Sequence, residues 1–383
     1  MANTLTALAP VLYSAAQEVA KEPVGFLDAI NMNFDDKGVA LNDSVKVPVA
    51  PVVSTSDYIP AMTTTAGTDR IASSVTVSID NSKEVTWHLT GEQQLSLMNG
   101  DTDKEWVRQL IAQGMRALNN GAESTLATAI YKNASRAVGT AGTTPFATNI
   151  DVIAEAYKIL KDNGAPLADM QMVMDTSAGL NARNLAIIQQ ADQAGTPEER
   201  RSGNFLRQFG FQLRESAGVQ SHTKGTGTLY DIVAAGEAVG QTTLSLEGGT
   251  VGATGILAGD VVTFAGGATD TNKYVVNTGL AATSGDIVIG NPGLRVVKVD
   301  ADEMTIGNSY TANCFFERGA IVGVMRPPIV PASPLIKQIP ISDGMGRTYL
   351  LCEIVGDGMV TWSLRLAYGF KVVQSEFVGI LMG

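Results

Sequence analysis

His88 and His222 are the chain's two histidines, so a Ser-His-Asp or Cys-His device would have to be built on one of them. His88 alternates with Trp87 and Leu89 as a strand residue does, which favours a structural role. Ser221 and Lys224 make S-x-x-K, the spacing of an acylating serine with a lysine base. The companion K-T-G and S-D-N segments are absent, so a Ser/Lys hydrolase is a minor alternative. Cys314 and Cys352 are too few for a disulfide framework and lack metal-ligand spacing; they read as buried thiols in a reducing compartment. "DADE", Asp300 to Glu303, has two acidic positions at calcium-loop spacing but neither the third carboxylate nor the glycine, so it reads as a hairpin turn. The glycines of "GGTVGATGILAGD" fit no phosphate-binding pattern and read as turns. No catalytic residue, metal ligand or cofactor site is expected.

The elements around these residues describe a scaffold. With 45% apolar and 17% charged residues, 40 glycines and 14 prolines in 383 residues, the chain is ordered, rich in strands and loops, and long enough for two or three domains. A formal charge of -11 is the opposite of the basic footprint by which proteins grip nucleic acid. The first residues show no basic region followed by an apolar run, and no stretch is apolar enough to span a membrane, which predicts a cytoplasmic product.

Along the chain, Leu5, Leu8, Leu12 and Ala16 recur at helical spacing before Pro23 and predict a short amphipathic arm. "DSVKVPVAPVVS" and "RIASSVTVSI" are strands separated by the polar "TSDYIPAMTTTAGTDR", a long hairpin with a projecting tip. A long helix follows from Asp103 to Asn133, with Thr102 and Glu105 in a capping-box pattern and an apolar side through Trp106, Leu110, Leu118, Ala122, Leu126 and Ile130. Gly114 and Gly121 on it would allow close packing. A second helix from Asp151 to Asp162 stops at Asn163 and Gly164, "DMQMVMD" is a buried strand, and a third helix starts near Thr176 or Ser177. Glu198, Glu199, Arg200 and Arg201 lie in an exposed charged loop. From about Val219, short strands alternate with Gly, Thr, Asp and Asn turns for nearly a hundred residues, a small β-barrel-like module. Long strands resume after it, so the barrel interrupts an α+β body.

At "NCFFERGAIVGVMRPPIVP" the chain resembles the major capsid proteins of tailed phages, specifically the coat-protein family of short-tailed Salmonella-type phages that carries an insertion domain. Asn313, Phe315, Phe316, Arg318, Ala320, Arg326 and Pro327 fall on that family's pattern, with Phe316 and Glu317 where relatives often have histidine or tryptophan. "GILAGDVVTFAGG" resembles a strand-turn-strand of the family's insertion barrel through Gly259, Asp260, Phe264, Ala265 and Gly266, and "VVKVDADEMTI" its later hairpin. "DSVKVPVAP" resembles the strand into the E-loop, and "LRLAYGFKVVQSEFVGILM" the closing strands, through Arg365, Tyr368, Gly369 and Glu376.

The resemblance implies an α+β, Hong Kong 97-like capsid fold: N-terminal arm (1–42), E-loop and peripheral strands (43–90), peripheral domain with the spine helix (91–147), axial domain (148–218), inserted β-barrel (219–312) and a return to the core (313–383). It implies a non-enzymatic subunit that self-assembles into hexamers and pentamers of an icosahedral head. Scaffolding protein and portal would act during assembly, a decoration protein could join, and packaged double-stranded DNA would lie near without specific contact. The location implied is the virion, after assembly in the host bacterial cytoplasm. A bacterial nanocompartment shell of the same fold is the alternative. Asp57, Tyr58 and Arg70 in the E-loop, and Glu198, Glu199, Arg200 and Arg201, are the expected subunit contacts. Asn313, Phe316, Glu317 and Arg318 would fasten the inserted barrel to the core, and Pro327 with Pro328 would end the strand.

Overall fold

A computed structural model describes residues 9–20, 25–34, 40–49, 73–93, 101–185, 209–265, 270–331, 333–342 and 347–383. The body is α+β, built of two sheets, a long helix and a ring of strands. Its hairpin base follows the sequence pattern, while Leu5 and Leu8 of the expected arm lie outside the described residues.

The helix Ala9–Ala20 buries Ala15, Ala16 and Val19 against the long helix Asp101–Lys132, and Glu18 joins them by pairing with Arg108 and, at 3.1 Å, with Arg116. At 32 residues the long helix runs about 48 Å. It begins at Asp101, and Glu105 turns to Arg108 and Gln109; the Thr102 side chain lies outside the described residues. The buried stripe also starts one residue later than the spacing suggested, at Val107 through Ile111, Met115, Leu118, Ala122, Leu126 and Ile130. Trp106 is left half exposed because it falls off that stripe. Neither glycine on this helix is required by its neighbours: a Cβ at Gly114 would sit 3.4 Å from Leu364, an ordinary contact, and one at Gly121 would sit 4.0 Å from Tyr368.

Beneath the helix lies a sheet in the order Asn31–Phe34, Ile321–Arg326, Met359–Val372, Thr348–Val355 and Ile336–Ser342, with Asn81–Thr90 also paired to Met359–Val372. Trp362, Leu364, Leu366 and Tyr368 turn inward to meet the helix in the main core. Beside the sheet a hairpin base, Ser44–Val49 against Ser73–Ser78, forms a two-stranded ribbon. Val45, Val47 and Val77 anchor it on Val322, Val324 and Ala367.

The second sheet contains Arg136–Gly139, Val378–Met382, Tyr310–Glu317, Met170–Met174 and Phe211–Glu215. All five residues of Met170–Met174 are buried, because the helices Asp151–Asp162 and Thr176–Asn184 bury their apolar sides in the same core as Met170, Met172 and Met174. Gly164, at φ +77, ends the first of these helices, with Ala165 N–H returning to Leu160 O at 2.9 Å. The second starts at Thr176, as the sequence suggested, and is capped by Asp175, whose carboxylate accepts from Ser177 and Ala178 N–H.

Between these halves of the sheet's sequence, six strands close on themselves: Val261–Ala265, Glu303–Ile306, Tyr230–Ile232, Thr243–Glu247, Gly285–Ile289, Lys273–Thr278 and back to Val261. The ring has its own core of Tyr230, Leu244, Val262, Phe264, Tyr274, Ile287 and Met304. Inside it Lys298 and Asp270 form an ion pair at 2.9 Å with both side chains 1% exposed. Burial pushes the Asp270 carboxyl up, but Lys298 and hydrogen bonds from Asn272 and Tyr274 outweigh it and hold the group below the usual aspartate value. The "DADE" segment is a turn: buried Asp302 accepts from Val299 N–H at 3.0 Å while Ala301 takes φ +60.

Candidate functional site

Of the residues that resemble a capsid-family motif, Asn313, Phe315 and Phe316 lie in the strand Tyr310–Glu317, where the chain leaves the ring, and the rest follow in the turn Arg318–Ala320 and the strand Ile321–Arg326 with Pro327. Asn313, fully buried, accepts from Asp175 N–H at 2.7 Å and donates to Leu381 O at 3.1 Å, tying the cap of one helix to the neighbouring strand. Phe315 meets Phe211 edge-on at 6.3 Å in the smaller core, while Phe316 points to the other side, into the main core. Arg318 reaches away from Glu317: its Nε donates to Ile30 O at 3.2 Å and its Nη1 lies 3.7 Å from Asp169. The acidic and basic neighbours therefore do not pair, and Arg318 holds the segment preceding Asn31–Phe34. The strand Ile321–Arg326 stops at the residue before Pro327.

Asn313→Leu, which fills the same space, leaves the buried Leu381 O without its side-chain donor and the part-buried Asp175 N–H without its acceptor. We expect it to lower stability by about 1–3 kcal/mol in urea unfolding. An unchanged midpoint would remove Asn313 from this role.

The contacts of Asn313, Phe316 and Arg318 are to core elements, and two separate groups fasten the ring to the core. In the first, His222 lies between the rings of Tyr131 and Tyr310, 5.5 and 5.3 Å away, and its Nε2 meets Asp260 Oδ1 at 2.8 Å. Asp260 also accepts from Gly225 and Leu257 N–H, and Tyr310 donates its hydroxyl to Gly259 O at 2.6 Å. Gly259 has φ +100, and a Cβ there would lie 2.7 Å from the Tyr131 ring, so the close stack needs glycine. In the second, Arg136 bridges Asn272 in the ring to Asn163 in the core, at 3.1 and 2.8 Å, and Arg295 joins at Asn163 Oδ1. The strand Lys273–Thr278 adds two backbone partners on Arg136–Gly139.

This geometry is unsuited to the chemistry that the residue types raised. Ser221 is exposed and adjoins His222 on one strand, so the two side chains face opposite ways. Lys224 turns its amine toward Asn308 at 3.5 Å. Cys314 is fully enclosed and burial pushes its thiol far up, away from the reactive thiolate. His88 is exposed on its strand opposite Thr361. Among the described residues, no three His, Cys, Asp or Glu gather as a metal site, and no helix is long and apolar enough to cross a membrane.

The surfaces suited to contact are of another kind. Leu335, Val355 and Met359 are 60%, 42% and 46% exposed around one end of the first sheet, where Val355 N–H bonds Leu335 O and Val355 pairs with Val360. The ribbon Ser44–Val49 and Ser73–Ser78 leads directly into residues 50–72. Asp57, Tyr58 and Arg70, and likewise Glu198, Glu199, Arg200 and Arg201, lie outside the described residues. Sequence reasoning missed Arg136, Asn163, Arg295, Asp270 and Lys298; a charged residue inside an apolar strand, as in "RAVG", was the available signal for Arg136.

No family model and no curated protein matches the chain. Solved structures similar to it include chains from phages and their capsids, from GTA-particle capsids and from a virus-like particle. A chain from Mycobacterium phage Che8 is 14% identical, covering 94% of this chain and 91% of its own with a TM-score of 0.49. One from the capsid of cyanophage P-SCSP1u is 12% identical, over 95% of this chain and 91% of that one, with a TM-score of 0.48. A virus-like particle from Pyrococcus furiosus is 7% identical over 97% of both chains, with a TM-score of 0.42. Such likenesses concern the course of the chain and give no residue a role.

Proposed function

We propose that this chain is the major capsid subunit of a tailed double-stranded DNA phage, a Hong Kong 97-like building block with a β-barrel inserted in its core sheet. The observation that carries the reading is the ribbon Ser44–Val49 and Ser73–Ser78. A two-stranded ribbon is marginal alone, and its strands pair with no other described strand. It is nonetheless anchored by a dedicated apolar cluster, an arrangement suited to a projecting arm that finishes its pairing on another subunit. The motif at Asn313 and the exposed apolar end at Leu335, Val355 and Met359 agree with this reading. Hexamers and pentamers would form through many modest contacts, with scaffolding protein and portal guiding closure. An acidic surface suits a wall beside packaged DNA that must not adhere to it.

Electron microscopy of the purified chain tests the proposal. Closed shells or hexagonal sheets are expected, whereas dispersed monomers, even with the scaffolding protein present, would overturn it. Within shells, Asp57, Tyr58, Arg70 and Glu198 to Arg201 are the proposed contacts. Arg70→Glu should abolish shells while leaving the thermal midpoint of the subunit unchanged; normal shells would remove Arg70 from the contact.

A further inference from the structure

The seam between ring and core holds positive charge without a matching anion. Arg136 is 4% exposed, and its hydrogen bonds go only to neutral oxygens, those of Asn272, Asn163 and Ile159. Arg295, partly buried beside it, likewise meets Asn163 Oδ1 and Asp162 O. Lys273 donates to Gly139 O. Among the described residues, the Nε of both arginines is buried with no partner. The carboxylates whose charges act on Arg136 are committed elsewhere, Asp162 to Lys158 at 3.3 Å and Asp270 to Lys298 at 2.9 Å. Buried guanidiniums are ordinarily matched by an anion, because desolvating the charge is costly. A cleft of about 380 Å³ opens here, walled by Arg136, Lys158, Lys273, Asn272 and Glu155.

We infer that this cleft is an oxyanion site, taking a phosphate or a carboxylate against Arg136 and Lys273. The planar guanidinium suits a tetrahedral or trigonal oxyanion through paired N–H donors. Glu155 at the rim disfavours a large polyanion and leaves room for a single anionic group. An occupant bridges the ring strand Lys273–Thr278 and the core strand Arg136–Gly139, locking one to the other. Its source is either a free anion or an acidic side chain of a second copy of the chain.

The probe is inorganic phosphate, titrated into the unassembled full-length protein at constant ionic strength, with thermal unfolding as the readout. A saturable rise of about 1–3 °C is expected, as ligand binding to the folded state requires. Lys273→Gln, at a partly exposed residue, should weaken the response severalfold, and Arg136→Gln should abolish it if that variant folds. A rise matched by sodium chloride, or retained in full by the Lys273 variant, overturns the site. On assembled shells, a lost response identifies a neighbour's carboxylate as occupant and a retained one a free anion. That arm rests on the proposed self-assembly; a chain that never assembled would sink the shell reading and leave the result on the unassembled protein standing.

Discussion

Lys298→Met is expected to lower the stability of the ring by about 3–5 kcal/mol, because it removes the only cation paired with Asp270 among the described residues and leaves its buried charge to the neutral donors of Asn272 and Tyr274. Met matches the lysine stem in volume, so the loss reports the charge and not a cavity. The double variant Lys298→Met with Asp270→Leu should recover most of it, since a buried pair replaced whole by apolar groups costs little. The chain's tryptophans, Trp87, Trp106 and Trp362, all lie outside the ring. Tryptophan fluorescence therefore follows the core, while hydrogen exchange at Val261–Ala265 and Lys273–Thr278 follows the ring, and the variant should accelerate the second first. Equal exchange in variant and parent would show that the pair contributes nothing.

The same pair sets an acid limit. A carboxyl held below its ordinary value in the folded state contributes stability that is whole above about pH 4, where unfolded aspartate is ionised. That contribution falls away as pH drops through the lower folded value. The parent's ring should thus loosen on the acid side with a slope that the double variant lacks.

Gly369→Ala is expected to have the largest effect on assembly. A Cβ at this position would lie 2.0 Å from Ser78 O and 3.0 Å from Ile79 Cα, both backbone atoms that cannot swing aside. The ribbon must lift from the sheet, opening the cluster of Val77, Val322, Val324 and Ala367. The direct cost is about 1–3 kcal/mol. If the ribbon carries subunit contacts, displacing it misplaces them in every copy of a lattice, so shells should fail while the subunit remains folded. Protease cleavage between residues 43 and 80 should speed up together with the loss of shells. Normal particles from Gly369→Ala would separate the ribbon from assembly.

Much of the architecture was legible because local signals and tertiary packing agree. The stop at Asn163 and Gly164, the apolar run Met170–Met174 and the strand pair around residues 50–72 each carry their own pattern. The long helix shows where periodicity stops being enough: Trp106 and Val107 are adjacent apolar residues, and only the position of the first sheet decides which is covered. The partners of Arg318 were hidden for a similar reason. Neighbours on a strand end look like a pair in one dimension, whereas Arg318 finds Ile30 and Asp169, one of them nearly three hundred residues away in sequence. The seam was invisible for the same cause, since Arg136, Asn163, Asn272 and Arg295 meet only once the ring is seated. No short-range pattern marks such a meeting.

The strand Val378–Met382 lies between Arg136–Gly139 and Tyr310–Glu317, both of which precede it in the chain. During synthesis, then, those two strands wait with a gap between them and an unpaired edge facing each side of it. The ring, whose six strands all fall between Tyr230 and Ile306, needs nothing from beyond that stretch for its own pairing. Maturation of the subunit is therefore out of phase with itself: a middle portion can settle early by short loops, and the body is sealed late by long ones. In a crowded cell that interval is when an open edge can recruit the wrong strand, which makes the rate of sealing, more than the final stability, the quantity that governs yield.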